Sequence, residues 1–171
     1  LLDKMEGISF VVEPDRQDAI TRGTLSNDDF DGEMDDVSYH IESIEEKGLP
    51  IDPINAYNLF AIYLRWCIEH DLMGEDFLNE YGEVAKQVKA DPASVDLRAF
   101  IRDKLNGQIM VPMFNKIGRA FTSYYYGEPD SPNFPRDIEN YALEYLGPEK
   151  YYSDEFQFKA PMFIPFNEDY Y

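Results

Sequence analysis

The densest run of oxygen donors in the chain is Asn27-Asp28-Asp29-Phe30-Asp31-Gly32-Glu33-Met34-Asp35. Read as a calcium loop, it puts Asn27, Asp29 and Asp31 at the first, third and fifth positions, Gly32 at the turn, apolar Met34 at the eighth and Asp35 at the ninth. Hard cations take clustered oxygens of this kind, and glycine permits the sharp bend. The twelfth position must supply a bidentate glutamate, and here it is Ser38. The preceding Thr21-Arg22-Gly23-Thr24 makes a poor entering helix. The segment therefore reads as a solvated acidic loop, with Asp29, Asp31 and Asp35 as the residual metal candidates and no cofactor expected.

The other chemistry-bearing residues stand apart from one another. His40 and His70 are the only histidines, whereas zinc sites and most nucleophilic triads need histidines or cysteines in company. Ser38 and His40, two apart on a strand, would share a face without being aimed at each other, so a structural hydrogen bond is expected for His40. His70 falls near the end of an apolar helix, where a cationic side chain complements the helix dipole. Cys67 follows Trp66 inside that helix and reads as an inert core thiol. Gly118 and Gly127 stand alone, so no phosphate loop is present. Pairs such as Glu45-Glu46 and Asp35-Asp36 define no geometry by themselves. No catalytic residue is expected, and the chain reads as a non-enzyme.

The positive signal is tyrosine beside acid. Of 13 tyrosines, many lie in runs such as Tyr124-Tyr125-Tyr126-Gly127-Glu128, Tyr151-Tyr152-Ser153-Asp154-Glu155 and Glu168-Asp169-Tyr170-Tyr171. Tyrosine supplies contact area at low entropy cost and is enriched at interfaces. With 34 acidic and 15 basic residues the net charge is -19, a field that repels nucleic acid and anionic membrane and steers basic partners inward. The expected partner-binding residues are Asp28, Asp29, Asp31, Glu33, Asp35, Asp36, Tyr124, Tyr126, Glu128, Tyr151, Tyr152, Asp154 and Glu155. Half of the tyrosines are expected to line the core.

A chain of 171 residues with 44% apolar content is expected to form one domain over 1–171. Residues 1–34 read as an N-terminal extension with a strand at 8–12 and the acidic loop, and Val37–Ile44 as a second short strand or irregular lead-in. Asp52 caps and Pro53 opens a helix from Ile54 to about Leu72 that is apolar nearly all round, hence the central buried element. Further helices are predicted over Glu75–Lys89, Ser94–Asn106 with Ser94 as cap, Pro112–Tyr126 and Pro135–Leu146. Ile117, Tyr124 and Tyr125 belong to the apolar stripe of the fourth, and Tyr141 and Tyr145 to the inward face of the fifth. The aromatic tail, 148–171, is expected to pack back as an extended strand. The predicted fold is mainly α, a compact bundle of about five helices with minor β content near the termini. One cysteine, no long apolar run and no visible leader fit a cytoplasmic protein.

The order of certain pieces carries a resemblance. Asp35-Asp36-Val37-Ser38-Tyr39-His40, a gap ending at Leu49-Pro50, Tyr63-Leu64-Arg65-Trp66-Cys67-Ile68, Gly118-Arg119-Ala120-Phe121 and Tyr124-Tyr125-Tyr126 resemble a family of uncharacterised bacterial proteins over roughly residues 35–171. Its pattern is an Asp-Asp pair with a His four residues after the second Asp, a Phe-Leu-x-Trp-Cys-Ile run, which here begins with Tyr63, and a Gly-x-Ala-Phe…Tyr-Tyr segment. Similar proteins often carry a His seven residues before the Trp, where this chain has Leu59. Members occur near polymorphic toxin systems and look like immunity proteins. The resemblance thus implies a cytoplasmic inhibitor of a cognate toxin domain and carries over no catalytic residues, while the acidic field points to a basic surface on that partner. Two other readings stay open: a small metal-dependent hydrolase using the 27–36 cluster, and an adaptor that self-associates through its tail.

Overall fold

A computed structural model of the chain describes residues 33–127, 133–154 and 160–168. The strand expected at 8–12, most of the acidic loop, and Phe156 and Phe158 of the tail lie outside the described residues. Within them the fold is mainly α. The helices are α1 (Ser38–Lys47), α2 (Asn58–Glu69), α3 (Glu75–Ala90), α4 (Leu97–Lys104), α5 (Lys116–Gly127), α6 (Phe134–Leu146) and the short α7 (Pro148–Tyr151). The β content is one antiparallel ladder: β1 (Glu33–Asp36) pairs with β2 (Gln108–Met110), Asp36 opposite Gln108, with a bulge between Glu33 and Asp35.

The central helix forms as its sequence dictates. Asp52 accepts the Ile54 N–H at 3.0 Å, and Pro53 opens a 3-10 turn (Pro53–Tyr57) that runs into α2. Phe60, Ala61, Ile62, Tyr63, Leu64, Cys67 and Ile68 of α2 are buried on all sides. Among the polar groups this helix carries into the core, the Tyr63 hydroxyl donates to Thr122 Oγ1 at 2.9 Å and Asn58 at its first position is fully buried. Trp66 stacks on His70 (centroids 4.1 Å apart) and on Phe121 (4.6 Å). His70 ends the helix with Nδ1 2.9 Å from the Trp66 carbonyl; a carbonyl only accepts, so Nδ1 carries the proton.

Several elements differ from expectation. Val37–Ile44 begins a helix, not a strand: Val37, Ile41 and Ile44 recur at helical spacing, Asp36 Oδ1 accepts the Ser38 N–H at 2.7 Å, and Gly48 at φ +58° closes the far end. Asp96, not Ser94, caps α4, accepting the Arg98 N–H at 3.0 Å, while Ser94 lies in a 3-10 turn. Residues 111–113 are a separate 3-10 turn, so α5 starts at Lys116 with Asn115 Oδ1 accepting the Gly118 N–H. Ile117 is 72% exposed at the edge of the stripe that meets the core, and Tyr145 is 53% exposed although it shares a face with Ile138 and Ala142.

The tail makes a 3-10 turn at Ala160–Phe163 instead of a strand, since Pro161 and Pro165 have no N–H to give a ladder. Met162 and Ile164 are buried, and their carbonyls accept from Asn55 Nδ2 (3.2 Å) and Asn58 Nδ2 (3.5 Å). Outside these, Arg65 forks onto Glu168 at 2.8 and 3.0 Å, and the Arg98 guanidinium lies 4.4 Å over the Phe166 ring. Arg98→Ala is expected to lower stability by about 1 kcal/mol, with roughly half of that coupled to Phe166 in a double-mutant cycle by urea denaturation. Zero coupling would mean that the stack does not hold the tail.

Candidate functional site

The sequence-expected binding residues separate into an inward group and an outward group. Asp28, Asp29, Asp31, Glu128 and Glu155 lie outside the described residues, and of Glu33 only the backbone is described.

The inward group is Asp35, Asp36 and Tyr126. Leaving β1, Asp35 accepts the Tyr126 hydroxyl at 2.6 Å and its neighbour's N–H at 2.9 Å. Asp36 accepts the Ser38 N–H and, at 2.9 Å, Gln108 Nε2 from β2; the backbone bond from Ser38 above all holds its carboxyl below the usual range. Burial first and the Asp35 carboxylate second push the Tyr126 hydroxyl well above the usual phenol range. Beside it, Tyr125 donates to Asp137 at 2.7 Å and is pushed up by burial and then by that carboxylate. The two phenols donate and Asp35 and Asp137 accept, which ties β1, α5 and α6 together. His40 sits on α1 with its ring edge-on to Phe60, centroids 5.9 Å apart. Burial pushes the Cys67 thiol far up, as for an inert core residue. Among the described residues no group of three or more His, Cys, Asp or Glu is placed to hold a metal.

The outward group lies on the α6–α7 hairpin, turned by Gly147 at φ +77°. Tyr151 and Tyr152 meet edge to face at 4.9 Å, and Tyr151 donates to Glu139 of α6. Burial first and Glu139 second push the Tyr151 phenol up to about 12. Tyr152 is 71% exposed, and Asp154 is exposed beside it. On α6 Tyr141 and Tyr145 stack at 6.3 Å, with Glu144 and Glu149 exposed nearby in the chain. Glu139, Tyr141, Tyr145 and Glu149 were missed in the sequence, although Tyr141 and Tyr145 stand four apart, one helical turn. Tyr124 is partly exposed on α5, away from its inward neighbours Tyr125 and Tyr126.

Among the described residues no helix is long and apolar enough to cross a membrane. Neither a curated protein nor a solved structure matches the chain. One family model does match, over residues 33–154, from the first residue of β1 through the α6–α7 hairpin. That stretch holds both the half-buried carboxylate–phenol network and the exposed tyrosine corner, and it makes the chain a member of the family described as Domain of unknown function (DUF7832).

Proposed function

We propose that the protein is an immunity-type inhibitor, which binds a toxin domain with a basic surface in the cytoplasm and occludes its active site. The observation that carries this reading is the α6–α7 corner. Its aromatic rings stand out from the surface, Tyr152 at 71% and Tyr145 at 53% exposure. Glu144, Glu149 and Asp154 around them make no ion pair among the described residues. Rings supply desolvated anchors, and unpaired carboxylates supply the field that speeds encounter with cations. The chain's net charge of -19 extends that field over the whole molecule. Such a surface mimics a string of phosphates, so it fits the basic cleft of a toxin that acts on nucleic acid or nucleotides.

The test is co-expression with the toxin encoded beside it. Rescue of growth and co-purification are the expected results, and a chain that does neither is not an immunity protein. Tyr152→Ala and Tyr145→Ala are each expected to weaken the complex about tenfold or more, mostly through faster dissociation. Their thermal midpoints should match the parent's. Calorimetric titration of the purified pair reads the affinity.

A further inference from the structure

We propose that Asn106 is a latent self-modification site: the chain's own backbone converts it to isoaspartate when the turn between α4 and β2 opens, and the product cannot close that turn again. The proposal uses no residue of the α6–α7 corner, so it is independent of the toxin-binding reading. Asn106 is the one asparagine of the chain that precedes a glycine. Every other asparagine is followed by a residue with a Cβ, which crowds the backbone nitrogen that must attack.

The reaction consumes only water. The Gly107 nitrogen attacks Asn106 Cγ, the new N–Cγ bond closes a succinimide ring, and the Cγ–Nδ2 bond breaks. Ammonia leaves with the proton that the Gly107 nitrogen gives up. Water then opens the ring at one of its two carbonyl carbons. Opening at Cγ gives aspartate. Opening at the main-chain carbon gives isoaspartate, in which the backbone runs through Cβ and Cγ and is longer by a methylene.

The geometry that makes the turn also holds the reaction off. Asn106 lies at φ +54° and Gly107 at φ +78°, and the Gln108 N–H donates to the Leu105 carbonyl at 3.0 Å. Two positive φ values inside such a bond define a type I′ turn, for which Asn-Gly is a favoured pair. In that turn ψ of the first central residue is about +30°, which sets the Gly107 nitrogen nearly opposite Cβ across the Cα–C bond. Ring closure needs the two on the same side. The nitrogen is engaged as well: Gly107 is buried, and its N–H donates to the Ile101 carbonyl at 3.0 Å. The Gly107 carbonyl accepts the Val37 N–H at 3.0 Å. The Asn106 side chain is exposed, so only the backbone bonds stand in the way. Attack requires them to break together, a local opening of the kind that amide exchange detects.

Those bonds are also why the product stays open. Gly107 fastens the end of α4 to the junction of β1 and α1, beside the pairing of Asp36 with Gln108. An extra methylene ahead of the Gly107 nitrogen enlarges the turn that Leu105 and Gln108 close. It carries the Gly107 N–H away from Ile101 and its carbonyl away from Val37, and β1 loses its fastening.

The test follows the full chain, folded in mildly alkaline buffer and unfolded in guanidinium chloride, by mass spectrometry of the proteolytic peptide that holds residue 106. Conversion makes that peptide heavier by the difference between an amide and a carboxyl, and chromatography separates isoaspartate from aspartate. Isomerisation at Asp31-Gly32 would leave the mass unchanged, so the two are not confused. The expected result is conversion in guanidinium and conversion about a hundredfold slower in the folded chain. Asp36→Ala removes the acceptor of the Ser38 N–H and of Gln108 Nε2. It should speed conversion of the folded chain about fivefold and leave the unfolded rate alone, because Asp36 is remote from Asn106 in sequence. In the converted chain the Val37 amide should exchange freely, while the parent protects it. A folded chain that converts as fast as the unfolded one overturns the proposal. So does an Asp36→Ala rate equal to the parent's, or a converted chain that still protects Val37. The comparison of folded with unfolded parent decides the matter even if Asp36→Ala unfolds the chain.

Discussion

Gly118→Ala is expected to destabilise the protein by about 3 kcal/mol or more, although replacing a helical glycine by alanine ordinarily gains up to about 1 kcal/mol. Gly118 lies in the first turn of α5, pressed against the corner that follows α2. A Cβ there would stand 2.3 Å from the Leu72 carbonyl oxygen, 3.0 Å from Phe114 Cβ and 3.1 Å from Leu72 Cβ. The oxygen cannot step aside, because it accepts the Asn115 N–H at 2.9 Å. Asn115 is pinned in turn, its Nδ2 donating to the Asp71 carbonyl at 2.7 Å and its Oδ1 accepting from Gly118 itself at 2.8 Å. The added methyl must therefore lever α5 away from α2, and with it Phe121 from Trp66. At about 2–4 °C per kcal/mol for a chain of this size, the thermal midpoint should fall by roughly 10 °C. Gly82→Ala is the matched control: within the chain its Cβ meets nothing within 4 Å, so no comparable loss is expected. A Gly118→Ala midpoint within a degree or two of the parent's would mean that the corner yields and that this close approach is not what sets α5 on α2.

The helices were legible where a local signal and a long apolar period agreed. Asp52-Pro53 ahead of an all-round apolar run foretold α2 and its burial, and α3 was read to within a residue at its end. Errors arose where a short run fits two periods. Val37, Tyr39 and Ile41 alternate like a strand, while Val37, Ile41 and Ile44 recur like a helix; the Asp36 cap and the stop at Gly48 decide for the helix. β2 was missed because three residues cannot display alternation, and its partner strand lies some 70 residues earlier, Asp36 facing Gln108 across a separation of 72. The direction of each tyrosine was the least legible feature. Tyr124, Tyr125 and Tyr126 are consecutive and look alike, yet Tyr126 is drawn inward by a carboxylate 91 positions away. Tyr145 shares a helical face with Ile138 and Ala142 on paper, yet it is exposed while Leu146, one residue on, packs against the core. Pairing over such distances depends on packing, which hydrophobic period and capping chemistry do not encode.

That packing turns the tyrosines into a stability device at high pH. Burial pushes the Tyr63 phenol well above its ordinary range, and burial with Asp35 does the same for Tyr126. In the unfolded chain both ionise near pH 10. A phenol whose pKa is higher in the folded state contributes stability that is complete below pH 10 and is lost as pH rises toward the folded value. Above pH 10 each such group removes about 1.4 kcal/mol per pH unit, so Tyr63 and Tyr126 together remove roughly 3 kcal/mol per unit. Tyr125, held protonated by its surroundings and Asp137, steepens the loss further. Against a typical stability of about 5–15 kcal/mol, cooperative unfolding should set in around pH 12. Tyrosinate absorbance followed beside helical circular dichroism will separate the two populations. The solvent-exposed phenols should ionise gradually with the helices intact, and the buried set only as helicity is lost. Tyr126→Phe should flatten the alkaline slope by about 1.4 kcal/mol per pH unit, apart from any change in stability at neutral pH. If all 13 tyrosines instead ionised in one gradual step near pH 10 with no loss of helix, the hydroxyls of Tyr63 and Tyr126 would have to be open to solvent, and the carboxylate–phenol network joining β1, α5 and α6 would not hold the fold together.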